Sequence, residues 1–552
     1  MQRVNVSLAM GQTAVTDRRY KALHPLAMVT DCRNTMQSVP QPDQAERVSL
    51  SLWSRMRLRA ALFLSGAAVM VLEILGTRII GPHFGVGLFV WTSLITVTLV
   101  ALALGYWLGG MLADRWPSPG VFAAVLLAAA FAVALIPLWR GPVLDAAWVF
   151  GLRSGSLCAA GALFFPPLLL LGMISPFAVR LEAEGVAQAG RSAGRLYAIS
   201  TAGSVFGALL TGFVLVPALR VPTILAIQAG ALVFAALLAA APGLNKRVAG
   251  GAIAVVLGAI VLAWPSPQPA GLLALRSCNG SDLRVIAHEG SRYLFVDQTV
   301  QTSIDSEGRS NEEYIYIFAA DVLLARPHAK SAALIGLGGG GIIPLLSAYG
   351  LDLEVADLSP GVIDLARSHF GLSLPPSKVH AIDGRVFLKQ RPARFDAIVL
   401  DVFNGDRLAL SLVSLEALQC AKEALTQGGL LALNTWGLDS KDGRPNQLGA
   451  AIRVTLQQVF RHVAAVQVSG NLLFFASDSP LDPGNAALDL PTYDGVRSFS
   501  WLEMQPTSWP LAALLTDDWN PLDVLDASAV EAIRAGRRAT NPPLIRDALG
   551  WE

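Results

Sequence analysis

The chain is poor in charge: Asp, Glu, Lys and Arg make up 15% of its 552 residues and nearly cancel, to a net +1. That balance excludes the broad basic face that nucleic-acid binding requires, so no nucleic-acid partner is expected. Cysteine is scarce too. Cys32, Cys158, Cys278 and Cys420 lie scattered, without pairing or metal-ligand spacing, and imply neither a disulfide framework nor a zinc site. The seven histidines are dispersed, with no H-E-x-x-H helix, and no metal is expected. Residues 1–55 are polar and lack the short apolar core and cleavage site of a secretory leader. They are expected to be disordered, and Met56, which opens "MRLRAALFLSG", offers an alternative start.

Apolar side chains are abundant instead. They reach 53% of the chain, with a mean hydropathy of +0.50, too much for an ordinary soluble enzyme. Nearly all the excess lies between about Leu58 and Trp264. Seven apolar segments can be drawn there, at about 60–80, 87–112, 120–139, 157–179, 196–217, 220–241 and 248–264. Most reach the ~20 residues that cross a hydrocarbon core. The expectation is an all-α transmembrane domain over 56–265, embedded in lipid as a multi-pass protein of the inner cell membrane. The spacings Gly105-x-x-x-Gly109 and Gly203-x-x-x-Gly207 suit close helix packing in lipid. Glu73, deep in the first segment, is either a buried structural group or a binder of cationic ligand, whereas Arg78 can snorkel to the interface.

Arginines set a puzzle of orientation. Arg47, Arg55, Arg57 and Arg59 flank the first segment, Arg115 follows the second, Arg180, Arg191 and Arg195 follow the fourth, and Lys246 and Arg247 follow the sixth. The positive-inside rule puts that end in the cytoplasm. Seven crossings then leave the C-terminal half outside, unless one segment, 157–179 or 248–264, fails to cross.

After "PSPQP" the pattern changes to short strands and turns. "DLRVIAHEG" and "SRYLFVDQTVQTSI" read as an antiparallel hairpin region over 270–330, with Gly290 near the turn. From Ser331 to about 485, strands alternate with helices, one of them opened by Ser359-Pro360, a good cap and first helical residue. Such alternation builds a doubly wound parallel sheet. Residues 486–552 form a C-terminal extension without assigned chemistry.

The strand "SAALI" runs into Gly336, Gly338, Gly339, Gly340 and Gly341 before an apolar helix. Glycines there let the backbone turn tightly and come close to a ligand. Asp357 closes the next strand and suits a ribose diol; Asp383 and Asp401 close two later ones. A lone acid at such a place is as readily a helix cap. Three in register with a glycine turn point to a nucleoside. The spacing Gly336-x-Gly338-x-x-Gly341 formally fits a dinucleotide. The later acids, with Asp383 placed to accept from an adenine amino group, point instead to an S-adenosylmethionine-type Rossmann-like domain.

These residues resemble the spermidine synthase (polyamine aminopropyltransferase) family between about Arg292 and Trp436. The matching pieces are "LFVDQTVQTS", "EEYIYIFAADVLLARPHAKSAALIGLGGGG", "VADLSPGVIDLAR", "AIDGRVFL", "FDAIVLDVFNGD" and "LTQGGLLALN". The first half, with "SGAAVMVLEILGTRIIGPHFG", "GYWLGGMLADR" and "RLYAISTAGSVFGALLTGFVLVP", and the late "LTDDWNPLD", resemble bacterial proteins that fuse several spans to such a synthase. The resemblance implies a transferase using decarboxylated S-adenosylmethionine, or S-adenosylmethionine, as co-substrate, with no permanently bound cofactor. It implies a small amine such as putrescine as second substrate, and a homodimer. Gln301, the glycine turn, Asp357, Asp383 and Gly384 would line the nucleoside pocket, and Asp401 would face the amine. Tyr314, Tyr316 and Phe403 are candidates to face the sulfonium, or plain core.

Two family acids are replaced: Gly340 stands at the one within the turn and Asn404 at the one after Asp401, with Asp406 a possible substitute. Each missing charged hydrogen bond removes about 1.5–3 kcal/mol of amine binding. A methyltransferase on the same fold, and a transporter or sensor that binds without turnover, therefore stay open beside the aminopropyltransferase.

Overall fold

The computed structural model of the chain describes residues 51–481 except 86, 184–185, 241–245, 264–270, 279–280, 298, 405–406, 438–445 and 469, together with 510, 512–521 and 525. The expectations for residues 1–50, for Asp406 and for most of 486–552 fall outside the described residues.

The apolar half is a helical bundle. Its helices are α1 (Leu52–Phe84), α2 (Leu88–Arg115), α3 (Pro119–Trp148), α4 (Gly151–Glu182), α5 (Val186–Leu210), α6 (Val216–Ala218), α7 (Val221–Ala240) and α8 (Lys246–Ala263). A π-turn, Thr211–Leu215, joins α5 to α6. Six of the seven expected spans are long and apolar enough to cross a membrane. The exception is the last, where the apolar stretch Ala249–Val261 of α8 falls short of the usual length. Segment 157–179, the other doubtful one, lies inside the 32-residue α4. The bundle begins earlier than position 56, because the Ser51 hydroxyl caps α1 by accepting from the Ser54 amide at 3.2 Å.

Glycine brings these helices together. A Cβ on Gly203 would lie 2.1 Å from the Phe63 carbonyl oxygen, one on Gly207 2.5 Å from that of Ala67, and one on Gly109 2.5 Å from that of Met173. Contacts this close need a bare backbone on one side. Polar side chains in the bundle find carbonyls: Ser204 donates to Gly66 O at 3.0 Å and Gln228 to Ala68 O at 2.9 Å.

The second half opens with an antiparallel meander, β1 (Leu272–Cys278), β2 (Ser281–His288), β3 (Ser291–Val296) and β4 (Thr299–Ile304). Glu289 and Gly290 join β2 to β3, both at positive φ (47° and 80°), the geometry of a two-residue type I′ turn. The chain continues through α9 (Glu313–Ala325), β5 (Ser331–Ile335), α10 (Ile342–Ala348), β6 (Asp352–Asp357), α11 (Pro360–His369), β7 (Val379–Ala381), α12 (Gly384–Lys389) and β8 (Phe395–Leu400). There follow a two-residue hairpin β9 (Phe403–Asn404) and β10 (Arg407–Leu408), then α13 (Leu415–Ala424), β11 (Leu425–Trp436), α14 (Gln447–Val459), β12 (His462–Val468) and β13 (Asn471–Ser477).

Seven strands form one sheet in the order β12-β13-β11-β8-β5-β6-β7. β7, β6, β5, β8 and β11 pair in parallel, and β13 runs antiparallel to its two neighbours. Alternate residues of β5 serve opposite cores: Ala332 and Leu334 pack with α9, α10 and α11, while Ala333 and Ile335 pack with α12, α13 and α14. The doubly wound sheet read from sequence is thus present. β1, β12 and β13 are additions to that reading, and β13 makes the sheet mixed rather than wholly parallel.

Candidate active site

β5, β6 and β7 run outward to one side of the sheet and β8 and β11 to the other, so the crevice opens between the ends of β5 and β8. Both ends are tied together, as the Asp401 amide donates to Ile335 O at 2.9 Å. Gly336 leaves β5 at φ +91°, and a Cβ there would sit 2.1 Å from the Asp401 carbonyl oxygen. Only glycine fits.

The rest of the turn is pinned from a direction that the local pattern does not show. Thr302 of β4 accepts from the Gly339 amide through its hydroxyl at 2.8 Å. A Cβ on Gly339 would lie 2.6 Å from the Thr302 methyl, and Gly340 stands at φ +79°. A side chain at Gly339 would push against β4, and one at Gly340 would need a left-handed backbone angle while pressing the Ile343 and Leu337 side chains at 3.2 and 3.3 Å, so an acid is disfavoured at both. Gly341 begins the approach to α10 with ordinary spacing around it. Gln301, beside Thr302, brings its backbone carbonyl within 3.9 Å of where a Gly338 Cβ would stand, so β4 forms one wall of the crevice.

Asp357, at the end of β6, accepts from the Leu337 amide at 2.9 Å and from the Ser359 amide at 2.8 Å. Its carboxyl therefore braces the glycine turn and the start of α11, where the Ser359 hydroxyl also caps Val362 at 3.3 Å. Burial raises its pKa, while the two amides pull the other way. A carboxylate has about four acceptor positions, so a ribose diol can donate to the remaining ones. Asp383 has the bland role as well as any other: its Oδ1 caps α12, accepting from Arg385 N at 3.0 Å and Val386 N at 3.1 Å. Oδ2 takes part in neither bond. Gly384 owes its identity to packing, because a Cβ would strike the Ile335 side chain at 2.2 Å.

Asp401 differs from both. Its carboxyl is held by side chains: Tyr314 of α9 donates to Oδ2 at 3.2 Å and Asn434 of β11 donates to Oδ1 at 2.9 Å. Burial pushes its pKa up, opposed by those two donors and helped by the nearby Glu312. The Asn434 Oδ1 atom is buried without a hydrogen-bond partner among the described residues. Of the other aromatics, Tyr316 donates its hydroxyl to Ser310 O at 2.9 Å and is core, while Phe403 lies 4.7 Å from the Trp436 ring at the rim.

A carboxyl with a raised pKa at the crevice between β5 and β8 is suited to accept a proton from a reacting group. Asn434 and Thr302 were the residues missed by motif reading. Asn434 did leave a signal, a lone amide near the end of the apolar run "GGLLALNTW".

The C-terminal segment also reaches this side of the domain. Asp517 receives Arg385 through two bonds of 2.9 and 2.7 Å and accepts from the Ser414 hydroxyl. Leu515 is fully buried in the core beneath α13 and α14. Among the described residues, no cluster of three His, Cys, Asp or Glu could hold a metal ion.

No family model matches the chain. It is 27% identical over 222 residues to the polyamine aminopropyltransferase of Vibrio vulnificus, covering 37% of this chain and 72% of that one. To the polyamine aminopropyltransferase of Nitrosomonas europaea it is 28% identical over 267 residues, covering 44% of this chain and 81% of that one. A solved probable spermidine synthase from Corynebacterium glutamicum aligns at 19% identity and a TM-score of 0.35, over 40% of this chain and 84% of that one. The resemblance read from the motifs is borne out: the chain is similar in sequence to transferases of the polyamine aminopropyltransferase, or spermidine synthase, family.

Proposed function

We propose that the chain is a multi-pass membrane enzyme that moves an aminopropyl group from decarboxylated S-adenosylmethionine to a small amine such as putrescine. The observation that carries this reading is the Asp401 carboxyl, gripped by Tyr314 and Asn434 beside a turn where only glycine fits. The adenosyl part would lie against the glycine turn and β4, with the ribose hydroxyls donating to Asp357 and the adenine edge near Asp383. The amine nitrogen attacks the methylene carbon bound to sulfur, the carbon–sulfur bond breaks, and methylthioadenosine leaves with that bond's electron pair. The proton lost from nitrogen passes to Asp401, whose raised pKa suits it to accept. Phe403 and Trp436 give the cationic sulfonium an aromatic neighbour. The six long apolar helices support the membrane assignment.

One observation favours a second reading, methyl transfer from S-adenosylmethionine: the turn carries glycine at 340, at a φ of +79° that disfavours an acid to hold the aminopropyl amine. Side-by-side calorimetry of the two co-substrates on the full chain in detergent decides between them. Tighter binding of the decarboxylated compound, with release of methylthioadenosine when putrescine is added, supports aminopropyl transfer. Tighter binding of S-adenosylmethionine supports methyl transfer, and binding of neither overturns both.

A further inference from the structure

The bundle has two chemically different ends. At one, Glu182 of α4 takes Arg59 of α1 at 2.7 Å and Arg195 of α5 at 2.5 Å, and Arg180 meets Asp114 of α2 at 2.9 Å. A small pocket lined by Ser54, Arg57, Pro119, Phe122, Leu181 and Leu238 ties the starts of α1 and α3 to the ends of α4 and α7 at this same end. Arg55, Arg57, Arg59, Arg115, Arg180, Arg191, Arg195, Lys246 and Arg247 all belong here. The opposite end is marked by Phe84 against Trp148 (5.7 Å between ring centres), His83 near Asp145 at 3.8 Å, and Arg153 over the Phe89 ring at 5.0 Å. Its cations are only Arg78, Arg140, Arg153 and Arg220. Nine against four is the asymmetry by which the positive-inside rule assigns the first end to the cytoplasm.

The α/β half meets the other end. Arg78, near the end of α1, is within electrostatic reach of Asp282 and Asp297, and Arg140, late in α3, is within reach of Asp282 and Arg284. Those partners belong to one corner of the meander, where the Asp282 amide donates to the Asp297 carboxylate at 3.0 Å. The path of the chain agrees. A Cβ on Gly251, early in α8, would lie 3.7 Å from the Leu127 side chain, in the first third of α3. The 18 residues of α8 advance about 27 Å, close to the ~30 Å of a hydrocarbon core. Short as it is, α8 carries the chain from the arginine-rich end to the poor one. Six crossings would have returned it to the cytoplasm, where no arginine of the opposite end could meet Asp282 or Asp297.

We infer that the α/β half and its crevice lie outside the cytoplasm, on the side of the bundle that carries Arg78 and Arg140. This placement stands apart from the transferase reading. Taken together with it, the adenosyl co-substrate must be supplied by an export step, and the amine is drawn from the outer compartment.

Two measurements on the full chain in a bacterial host test the placement. Alkaline phosphatase joined after Glu552 should be active and green fluorescent protein at the same point dark; the reverse, or activity of both, overturns the inference. For the second, the four native cysteines are replaced and single cysteines introduced as Glu307→Cys on the α/β half and Trp116→Cys at the arginine-rich end, both exposed. With only the outer membrane opened, a membrane-impermeant maleimide should label Glu307→Cys at least tenfold more than Trp116→Cys. Equal or reversed labelling sinks the placement, and neither readout depends on adenosyl binding.

Discussion

Glycine does two unrelated jobs in the two halves of this molecule. In the bundle, Gly203, Gly207 and Gly109 sit in ordinary helix and matter because a neighbouring carbonyl lies where a Cβ would be. In the crevice, Gly336, Gly338 and Gly340 matter first for backbone angle, at φ +91°, +51° and +79°. The acids divide in the same way. Glu182 in the bundle is neutralised by two arginines, whereas Asp401 is held by an amide and a phenol that leave its charge uncompensated. One half uses these residue types to close space, the other to keep a reactive position open.

The sharpest way to break that contrast is Gly336→Ala. It meets both constraints at once, so adenosyl binding measured by calorimetry should fall by ~100-fold or more while the bundle stays assembled, as overpacking of this kind costs at least ~1–3 kcal/mol. Retained binding would mean that the turn is not the ligand's cradle. Asp401→Asn should lower turnover by about 10²–10⁴-fold and leave adenosyl affinity within a few-fold, which separates proton transfer from binding. If affinity collapses equally, Asp401 is a structural strut rather than the base.

Gly203→Val probes the other half. Pushing a side chain against Phe63 O should cost ~1–3 kcal/mol of bundle stability, read as a lower melting temperature in detergent, with adenosyl affinity unchanged. A pH dependence follows from Asp321, buried in α9 with its pKa raised by desolvation from 3.8 to about 8. The folded state then holds a proton that the unfolded chain has released. Stability should fall as pH rises from about 4 to about 8 and level off above that. Asp321→Asn should flatten this slope; an unchanged slope would assign it to another group.

What was legible in the sequence was what depends on neighbours along the chain. The glycine turn, the acids at the ends of β6, β7 and β8 and the Ser359-Pro360 helix start are local patterns, and each stands where its pattern points. Thr302 and Asn434 were not legible as site residues, because each acts on a partner far away in sequence: 37 residues for Thr302 to Gly339 and 33 for Asn434 to Asp401. β13 was missed because all seven of its residues are buried, so it lacks the alternation that marks a half-exposed strand. The seventh span, α8, stayed doubtful in the sequence because its apolar stretch Ala249–Val261 is short, and its packing against α3 and α7 joins residues far apart in the chain.

Asp517 has a consequence in time. Its grip on Arg385 and Ser414, together with Leu515 beneath α13 and α14, braces the helix that follows Asp383. A ribosome delivers these residues only after every apolar helix has been made. The nascent protein therefore completes its apolar bundle well before its crevice is finished, and a chain stalled short of position 517 would hold the bundle with α12 still unbraced.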